Sequence, residues 1–377
     1  MTAIPVLYAV SHMKVGGAQQ HLLEVLKRLD RRAFAPALYA LHVRPEHAYL
    51  AEARALDVEI IDGHVPESLR GPALLGPVVQ LARQLRRRRI AIVHSYLFHA
   101  NVVGTLAARL ARTPVALVSK RSLDLYPNRG DLAACRLANR LADRVTANSD
   151  AVKRHVHRVE GCPLDRIIVI PNGIDLGRIM TAAPEGHAPL ADSRPVIGTI
   201  GRLSPKKGQE DLLSAAALIL TRMPEVRVVL VGDGPLDGEL RKQAHDLGIE
   251  NRVRFLGAVA DGARLLPLLD VYVLPSHIEG MSMGLIEAMA AGRPIVATDA
   301  GGNAENVIDG VSGLIVPPRA PDRLADAILT LLKDPERARA MGAAARQRAR
   351  EHFTVDTMVQ RLERLYRECL AVRGIAA

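Results

Sequence analysis

The chain has 377 residues, of which 49% are hydrophobic and 24% are charged, and its formal net charge is +10. A chain of this length is too long for one ordinary hydrophobic core, so we expect two domains, and the composition excludes intrinsic disorder. Three widely spaced cysteines indicate neither a disulfide framework nor a zinc site, and they fit a reducing cytoplasm. No apolar run approaches membrane-spanning length, and the N-terminus lacks the positively charged start of a signal peptide.

The basic charge is densest at residues 83–89, R-Q-L-R-R-R-R, at the end of a predicted helix. Two interpretations stay open: a solvated helix C-terminus whose cations complement the helix dipole, or a patch that binds an anionic membrane surface. Aromatic residues make up only 3% of the chain and tryptophan is absent, which argues against a stacking platform for nucleic acid. We therefore predict no nucleic-acid partner, and a cytoplasmic protein that is a candidate for peripheral association with the inner face of the cell membrane.

Strand-like and amphipathic helical segments alternate along the first half of the chain. The predicted strands cover residues 4–11, 34–42, 58–62, 90–95, 114–120, 144–149 and 167–171. The predicted helices cover residues 18–29, 46–56, 72–88, 99–111, 132–142 and 150–159. Such alternation is typical of a doubly wound parallel sheet.

Residues 176–194 lose this periodicity and gain proline, glycine and alanine, so we interpret them as a linker between domains at 1–175 and 195–354. Beyond the linker, strands are predicted at residues 196–202, 226–233, 252–257, 271–274, 294–299 and 313–316. Helices are predicted at residues 209–223, 236–247, 262–269, 283–291, 322–332, 336–350 and 355–370. We expect an α/β protein of two Rossmann-like domains whose parallel sheets face each other across a cleft, with ligands at the carboxyl ends of the strands.

Three strand-to-helix junctions carry residues that suit a phosphate. Gly16 and Gly17 follow the first strand, where glycine lets backbone amides approach a phosphate, and a tight structural turn is an equal alternative. At residues 201–208, G-R-L-S-P-K-K-G, an arginine and two lysines precede a helix. Dipole stabilisation does not explain cations there, whereas a diphosphate ligand would. Gly232 belongs to the third junction, residues 231–235.

Two glutamates, Glu279 and Glu287, bracket the turn and helix start that follow the predicted strand at residues 271–274. This stretch is either a helix-capping loop with one solvated and one dipole-favoured glutamate, or a ligand site. Glycosidases hold their two carboxyl groups about 5 to 9.5 Å apart, whereas eight residues of helix rise about 12 Å. The spacing therefore suits the two ends of an extended ligand. No D-x-D pair occurs in the chain, so we predict no metal ion at the site.

Together these motifs resemble those of the family 4 retaining glycosyltransferases, which have the GT-B fold. The resemblance rests on motifs that follow in the family's order: Gly16 and Gly17, P-N-G-I-D at 171–175, G-R-L-x-x-x-K-G at 201–208, V-G-D-G-P at 231–235, and residues 276–318 with both glutamates. It covers nearly the whole chain, and its C-terminal half is the more specific.

The resemblance implies a nucleotide-sugar co-substrate, with a UDP- or GDP-sugar favoured, no further cofactor, and a saccharide or lipid-linked acceptor in cell-envelope glycan or glycolipid synthesis. It implies catalytic roles for Arg202 and Lys207, which would bind the donor diphosphate, and for Glu279, which would face the donor sugar. Glu287 would accept hydrogen bonds from the ribose. The other implied donor contacts are Gly16, Gly17, Gly201, Gly232, Gly280, Met281 and Ser282.

The implied transfer retains the anomeric configuration and needs no protein nucleophile, because the departing phosphate would deprotonate the acceptor on the same face. Closure of the two domains would exclude water. The last helix, at residues 355–372, is the candidate for crossing back to the first domain.

The chain departs from the family at the end of its fourth strand, where many relatives carry H-x-H and this chain has His94, Ser95 and Tyr96. His99 is the candidate for the catalytic cleft histidine, and a helix-capping or buried histidine is an equal alternative. Lys120 and Arg121, after the next strand, are candidate acceptor-side or phosphate contacts, or else part of an exposed loop.

Two alternatives stand beside the glycosyltransferase hypothesis. A nucleotide-sugar epimerase of similar two-domain architecture would convert the donor without an acceptor. A noncatalytic nucleotide-sugar-binding subunit would bind the nucleotide tightly without turnover.

Overall fold

The computed structural model describes residues 3–44, 47–66, 71–123, 126, 128–179, 195–259 and 261–375. The chain forms two compact units. Unit 1 comprises Met1–Gly173 together with Val355–Ala377, and unit 2 comprises Ile174–Thr354.

Unit 1 is built on a seven-stranded parallel sheet. Its strands are β1 (Ile4–Val10), β2 (Phe34–Ala40), β3 (Glu59–Asp62), β4 (Ile92–Tyr96), β5 (Val115–Lys120), β6 (Arg144–Ala147) and β7 (Ile167–Val169). They lie in the order β3-β2-β1-β4-β5-β6-β7. The central strand β1, I-P-V-L-Y-A-V, is a continuous apolar run, as expected for a strand that helices cover on both faces.

Helices pack on both faces of this sheet. They are α1 (Gly17–Arg28), α2 (Ala48–Arg54), α3 (Leu75–Arg87), α4 (Phe98–Ala111), α5 (Arg129–Leu141), α6 (Asp150–Glu160) and, from the end of the chain, α14 (Val355–Ala371). Because side chains alternate along a strand, Tyr8 of β1 packs with α1 and α14, whereas Leu7 and Ala9 pack with α3 and α4.

The C-terminal helix α14 packs on α1 and forms part of unit 1, although it is last in sequence. The Tyr366 hydroxyl donates to the Tyr8 hydroxyl at 3.2 Å and lies 2.8 Å from Nδ1 of His94. The carboxylate of Glu363 accepts a hydrogen bond of 2.9 Å from the backbone amide of Asp30. Buried apolar and polar contacts together hold this helix on the first sheet.

Unit 2 repeats the plan with a six-stranded parallel sheet in the order β10-β9-β8-β11-β12-β13. The strands are β8 (Val196–Ile200), β9 (Arg227–Val231), β10 (Val253–Phe255), β11 (Val271–Leu274), β12 (Ile295–Thr298) and β13 (Leu314–Val316). The helices are α7 (Leu176–Ile179), α8 (Gln209–Leu220), α9 (Asp237–Asp246), α10 (Met283–Ala290), α11 (Asn303–Asn306), α12 (Pro321–Lys333) and α13 (Pro335–His352).

Two segments of unit 2 differ from the prediction. Residues Leu176–Ile179, expected in the linker, form α7, and Arg178 pairs with Asp261 at 2.7 Å. The rest of the expected linker, 180–194, lies outside the described residues. Gly262–Leu268 is a 3₁₀-helix rather than the predicted α-helix, and it contains Pro267, a residue that disfavours the interior of an α-helix.

The predicted α/β architecture of two Rossmann-like folds is confirmed by the two parallel sheets. Within the described part of the chain, no helix combines the length and the apolarity that crossing a bilayer requires.

Candidate functional site

The candidate site of unit 2 lies where the strand order of its sheet reverses. Strands β8 and β11 are hydrogen-bonded neighbours, but β8 leads to α8 on one face of the sheet and β11 leads to α10 on the other. The loops after them, residues 201–208 and 275–282, lie at this switch point on the carboxyl edge of the sheet, which is where open α/β folds bind ligands. Both loops carry motifs that predict a phosphate or sugar site.

The two loops are held together by their backbones. The carbonyl oxygen of Lys206 accepts hydrogen bonds from the amides of His277, at 2.9 Å, and Ile278, at 3.2 Å. At Gly208 the backbone has φ of +63°, and a Cβ atom there would lie 2.1 Å from the carbonyl oxygen of Pro275. Glycine is therefore required at 208 by both conformation and space.

Lys207 and Glu279 form an ion pair between these loops. Ser276 donates a second hydrogen bond to the same carboxylate oxygen of Glu279, at 3.0 Å. The side chain of Glu279 is 9% exposed and that of Lys207 is 26% exposed, so the pair is accessible mainly from the lysine side. The fold thus brings together two predicted catalytic residues from separate strand-to-helix junctions.

Arg202 is exposed, and among the residues that the structure describes no carboxylate pairs with its guanidinium. The loop that carries it packs tightly on the third junction. Gly232 has φ of +141°, and a Cβ atom there would lie 1.9 Å from the carbonyl oxygen of Gly201. The predicted donor-binding residues Gly201 and Gly232 therefore lie side by side, and Arg202 follows directly.

Helix α10 begins at the edge of the same site. Gly280, Met281 and Ser282 are buried, and Ser282 caps the helix by accepting from the amide of Leu285 at 3.4 Å. The first turn of α10 contains no acidic residue, because Glu287 lies in the second turn. This position corrects the interpretation of Glu287 as a dipole-favoured glutamate.

Tyr272 of β11 lies close enough to Glu279 and Glu287 for both carboxylates to affect its ionisation. Burial, with the carboxylates of Glu287 and Glu279 nearby, raises the pKa of the Tyr272 phenol well above its usual range. Both predicted glutamates therefore act electrostatically on one buried phenol beneath the loop 275–282.

His277 was not identified from the sequence. Its Nε2 lies 2.7 Å from Oδ2 of Asp211, and its Nδ1 lies 3.8 Å from Oε1 of Glu210. Both carboxylates belong to the first turn of α8. Neighbouring acidic residues at a helix start usually indicate dipole stabilisation, so only their contact with the second loop reveals this role.

In unit 1 the strand order reverses between β1 and β4. Gly16 has extended backbone, and Gly17 is the exposed first residue of α1. Leu97, between β4 and α4, has φ of 71° and ψ of 156°. This region is nearly exclusive to glycine, costs about 1–3 kcal/mol for other residues and clusters at functional sites.

His99 is half-buried in the first turn of α4, with its ring edge-on to Phe98 at 4.9 Å between centroids. Its catalytic role stays a prediction. His94 is fully buried instead. Burial, with the charge of Arg121, lowers the pKa of His94 to about 3, so its imidazole is neutral.

The structure corrects the interpretation of Lys120, which is neither in an exposed loop nor available to an acceptor. Its ammonium lies 2.7 Å from the carboxylate of Glu160, and the two side chains are 2% and 1% exposed. The same carboxylate group accepts hydrogen bonds from Asn139 at 2.6 Å and Tyr126 at 2.5 Å. Lys120 therefore closes a buried polar network under α5 and α6.

Arg121, the next residue, contacts a different set of side chains from Lys120. Its guanidinium donates to Nδ1 of His21 at 2.7 Å and to the side-chain oxygen of Asn172, which belongs to the P-N-G-I-D motif. Burial lowers the pKa of Arg121 to about 10. No carboxylate pairs with it in the described ranges, so a partly buried positive charge remains at this edge of the sheet.

Among the residues that the structure describes, no group of three or more histidine, cysteine or acidic side chains is placed to hold a metal ion.

Comparison with known proteins identifies the family. The model described as "Glycosyl transferases group 1" matches residues 186–348, and that of "Glycosyltransferase Family 4" matches residues 15–178. The GDP-mannose-dependent alpha-(1-6)-phosphatidylinositol monomannoside mannosyltransferase of Mycobacterium tuberculosis is 32% identical over 372 residues, covering 92% of this chain and 93% of that protein. The chain belongs to glycosyltransferase family 4.

This glycosyltransferase is also similar to the alpha-maltose-1-phosphate synthase of Mycolicibacterium smegmatis, with 28% identity over 393 residues, 94% of this chain and 96% of that protein. Among solved structures, Anabaena Alr3699/HepE in complex with UDP matches with a TM-score of 0.82 and 28% identity, covering 96% of this chain and 99% of that chain. The same protein in complex with UDP-glucose gives a TM-score of 0.83.

These matches confirm the GT-B fold and a retaining glycosyltransferase that uses a nucleotide-sugar donor. They do not favour the epimerase or the noncatalytic subunit, since the similar proteins named above include transferases of sugar groups. No role is predicted from the sequence for His277, His21 or Asn172. Of these three, only Asn172 lies in a motif, P-N-G-I-D, that could have indicated its position near the site.

Proposed function

We propose that this glycosyltransferase moves a hexosyl group from a GDP- or UDP-sugar to a lipid-linked acceptor at an anionic membrane surface. The Lys207–Glu279 pair beside the exposed Arg202 carries the proposal. The mycobacterial relative is named for GDP-mannose and a phosphatidylinositol mannoside, and the Anabaena structures contain UDP or UDP-glucose. These relatives support both bases and favour a glycolipid acceptor.

In this proposal Lys207 and Arg202 bind the donor diphosphate and stabilise the charge that develops on it as it leaves. Gly280 and Met281, in the loop before α10, and Ser282, the N-cap of that helix, supply amides on the same side, near the positive end of the helix dipole. Glu287 accepts hydrogen bonds from the ribose. Gly16 and Gly17 stay predicted phosphate contacts of unit 1.

Donor binding exchanges partners within the Lys207–Glu279 pair. The two charges neutralise each other at a partly buried position before the donor arrives. A phosphate oxygen then takes the place of Glu279 beside Lys207, while Glu279 turns to the sugar hydroxyls and keeps its bond from Ser276. Because each charge gains a new polar partner, neither is left buried and unpaired, which would be costly.

The transfer step needs no protein nucleophile. The bond between the anomeric carbon and the phosphate oxygen breaks, and the acceptor oxygen bonds to that carbon on the same face. The acceptor hydroxyl gives its proton to the departing phosphate. Lys207 and Arg202 make this possible by stabilising the phosphate as a leaving group while it is close enough to take the proton.

The acceptor side rests on two features of unit 1. Arg121, a partly buried cation with uncharged partners, suits a phosphate group on the acceptor. Helix α3 exposes Leu75 and Val79, which are 67% and 38% exposed, on the side that carries its arginines. An apolar and basic helix face is the form in which proteins lie on anionic lipid.

The test compares Lys207→Ala with Lys206→Ala, an exposed neighbour outside the ion pair. We expect Lys207→Ala to lose about 10²–10³-fold in transfer, the usual effect of removing a group that stabilises transition-state charge. Lys206→Ala keeps near wild-type transfer. The measurement is labelled product formed from GDP-mannose or UDP-glucose with vesicles containing phosphatidylinositol or its monomannoside.

Near wild-type transfer by Lys207→Ala, with a circular dichroism spectrum like that of the wild type, would contradict the site assignment. Incubation of the labelled donor without acceptor tests the epimerase alternative, because only an epimerase forms a new nucleotide sugar under that condition.

A further inference from the structure

We propose that His277 is a positioning residue that holds Lys207 and Glu279 in register for the donor diphosphate. The proposal rests on the function proposed above. His277 contacts neither of these side chains in the structure. It acts through the two loops that carry them.

The side chains of His277 and Asp211 form a buried contact, here called the His277 tie, between the loop 275–282 and helix α8. The His277 side chain is 6% exposed, and its Nε2 lies 2.7 Å from Oδ2 of Asp211, whose side chain is 15% exposed. Glu210 lies on the other side of the ring, 3.8 Å from Nδ1. A buried hydrogen bond to a carboxylate is among the stronger side-chain contacts, so this tie resists loop movement.

The backbone contacts lie on both sides of Lys207. Lys206 accepts from the amides of His277 and Ile278, and Gly208 packs directly on the carbonyl of Pro275. The residues on either side of Lys207, Lys206 and Gly208, therefore both contact the second loop, and they restrict the position of Lys207. On the second loop, Glu279 directly follows Ile278, the last residue whose amide donates to Lys206. A shift of His277 thus moves the lysine and the glutamate relative to each other.

The nucleoside end of the proposed site has a different support. Glu287 lies on α10, whose neighbouring residues Leu285 and Ile286 are fully buried in the core of unit 2. That packing does not involve His277. Loss of the His277 tie should therefore weaken recognition of the diphosphate and leave recognition of the nucleoside unchanged.

The experiment measures the affinity of the full chain for GDP and GMP, and for UDP and UMP, by isothermal titration calorimetry. The ratio of diphosphate to monophosphate affinity isolates the contribution of the second phosphate. We expect His277→Ala to reduce this ratio about tenfold and to lower kcat by up to about 10²-fold, as displacements near 1 Å can. Its affinity for the monophosphates stays at the wild-type value.

His277→Gln supplies the conservative rescue. Its amide nitrogen reaches about as far as Nε2 and can still donate to Asp211, so we expect a ratio within about threefold of wild type. His245→Ala is the matched control, because His245 also faces a carboxylate, Glu250 at 3.8 Å, but is 76% exposed. It should leave every affinity unchanged. Asp211→Ala removes the acceptor of this hydrogen bond and should lower the ratio in the same direction as His277→Ala.

Equal losses for monophosphate and diphosphate, an unchanged ratio in His277→Ala, or a glutamine variant no better than alanine would each overturn the proposal. Lys207→Ala is measured in parallel. If it leaves the ratio unchanged, the proposed function fails. If Lys207→Ala lowers the ratio and neither His277→Ala nor Asp211→Ala does, only the positioning role fails.

Discussion

His94 lies among buried aromatic rings of unit 1, with centroid distances of 4.6 Å to Tyr96 and 5.8 Å to Tyr366. Burial first, and then the charge of Arg121, lowers its pKa to about 3. His21 responds in the same way, with its pKa well below the usual value for the same two reasons. These rings are neutral at physiological pH, since a charged ring there would lose hydration without gaining a carboxylate. His94 is thus a structural residue that anchors α14.

This burial predicts an acid sensitivity of folding. Below about pH 6.5 the unfolded His94 binds a proton that the folded form, with its pKa near 3, does not bind. The free energy of unfolding should therefore fall as pH falls through this window, by about 1.4 kcal/mol per pH unit for one such group. Urea unfolding followed by circular dichroism between about pH 4.5 and 7 measures the slope.

We expect His94→Gln to be less stable than wild type at neutral pH. Its free energy of unfolding should change less steeply with pH, by about 1.4 kcal/mol per pH unit. His64→Gln is the control, because the His64 side chain is 78% exposed and should keep the wild-type slope. Identical slopes for His94→Gln and wild type would show that His94 is not held neutral by the fold.

At the scale of elements, helix α3 has one buried face and one exposed face that carries apolar side chains. Val78, Leu81 and Leu85 pack into the core of unit 1, while Leu75 and Val79 are exposed. Side chains four residues apart share one face of a helix, so these two lie in line with exposed Arg83 and Arg87. The solvated C-terminus interpretation explains the arginines but not the exposed leucine and valine. The membrane contact proposed above accounts for both.

We predict that the full chain binds vesicles of phosphatidylcholine with phosphatidylserine or phosphatidylinositol, and that added salt weakens binding. Each basic residue near an anionic surface contributes about 1 kcal/mol, so Arg83→Gln with Arg87→Gln should weaken binding roughly tenfold or more. Arg323→Gln with Arg337→Gln makes the same charge change at exposed positions of unit 2. Vesicle co-sedimentation with equal losses in both double variants would reject α3 as the contact surface.

At the scale of the whole molecule, the same strand order occurs twice. Both sheets run 3-2-1-4-5-6 when strands are numbered within their own unit, and unit 1 adds a seventh strand. Their switch points nevertheless carry different chemistry. Unit 2 holds the Lys207–Glu279 pair, whereas the carboxyl edge of the unit 1 sheet holds Arg121 with uncharged partners. One topology thus carries two different arrangements of charge, because the side chains at each edge, and not the strand order, set the local chemistry.

A nucleotide screen by thermal unfolding tests the donor class on the intact chain. GDP or UDP should raise the unfolding temperature more than ADP, and a ligand at a hundred times its Kd stabilises the native state by about 2.7 kcal/mol. Lys207→Ala should show a smaller shift with the same nucleotide, because it loses a diphosphate contact. No shift with any of the three nucleotides would contradict a preformed donor site.

The sequence by itself determined the two α/β domains, the boundaries of most strands and helices within a few residues, and the motifs of the donor site. These features are local, since apolar periodicity and turn residues report what the chain does over about ten to twenty residues. The resemblance to family 4 added roles for Lys207, Glu279 and Arg202, and these stay predictions for the experiments above.

Only the tertiary structure decided which charges pair. It placed Lys120 against Glu160 in a buried network, left Arg121 without a carboxylate among the described residues, and tied His277 to Asp211 across two loops. These partners lie far apart along the chain, and burial and ion pairing depend on distances that arise only when the sheet orders its strands. For that reason a motif could indicate a phosphate site, but it could not show which side chains hold that site in place.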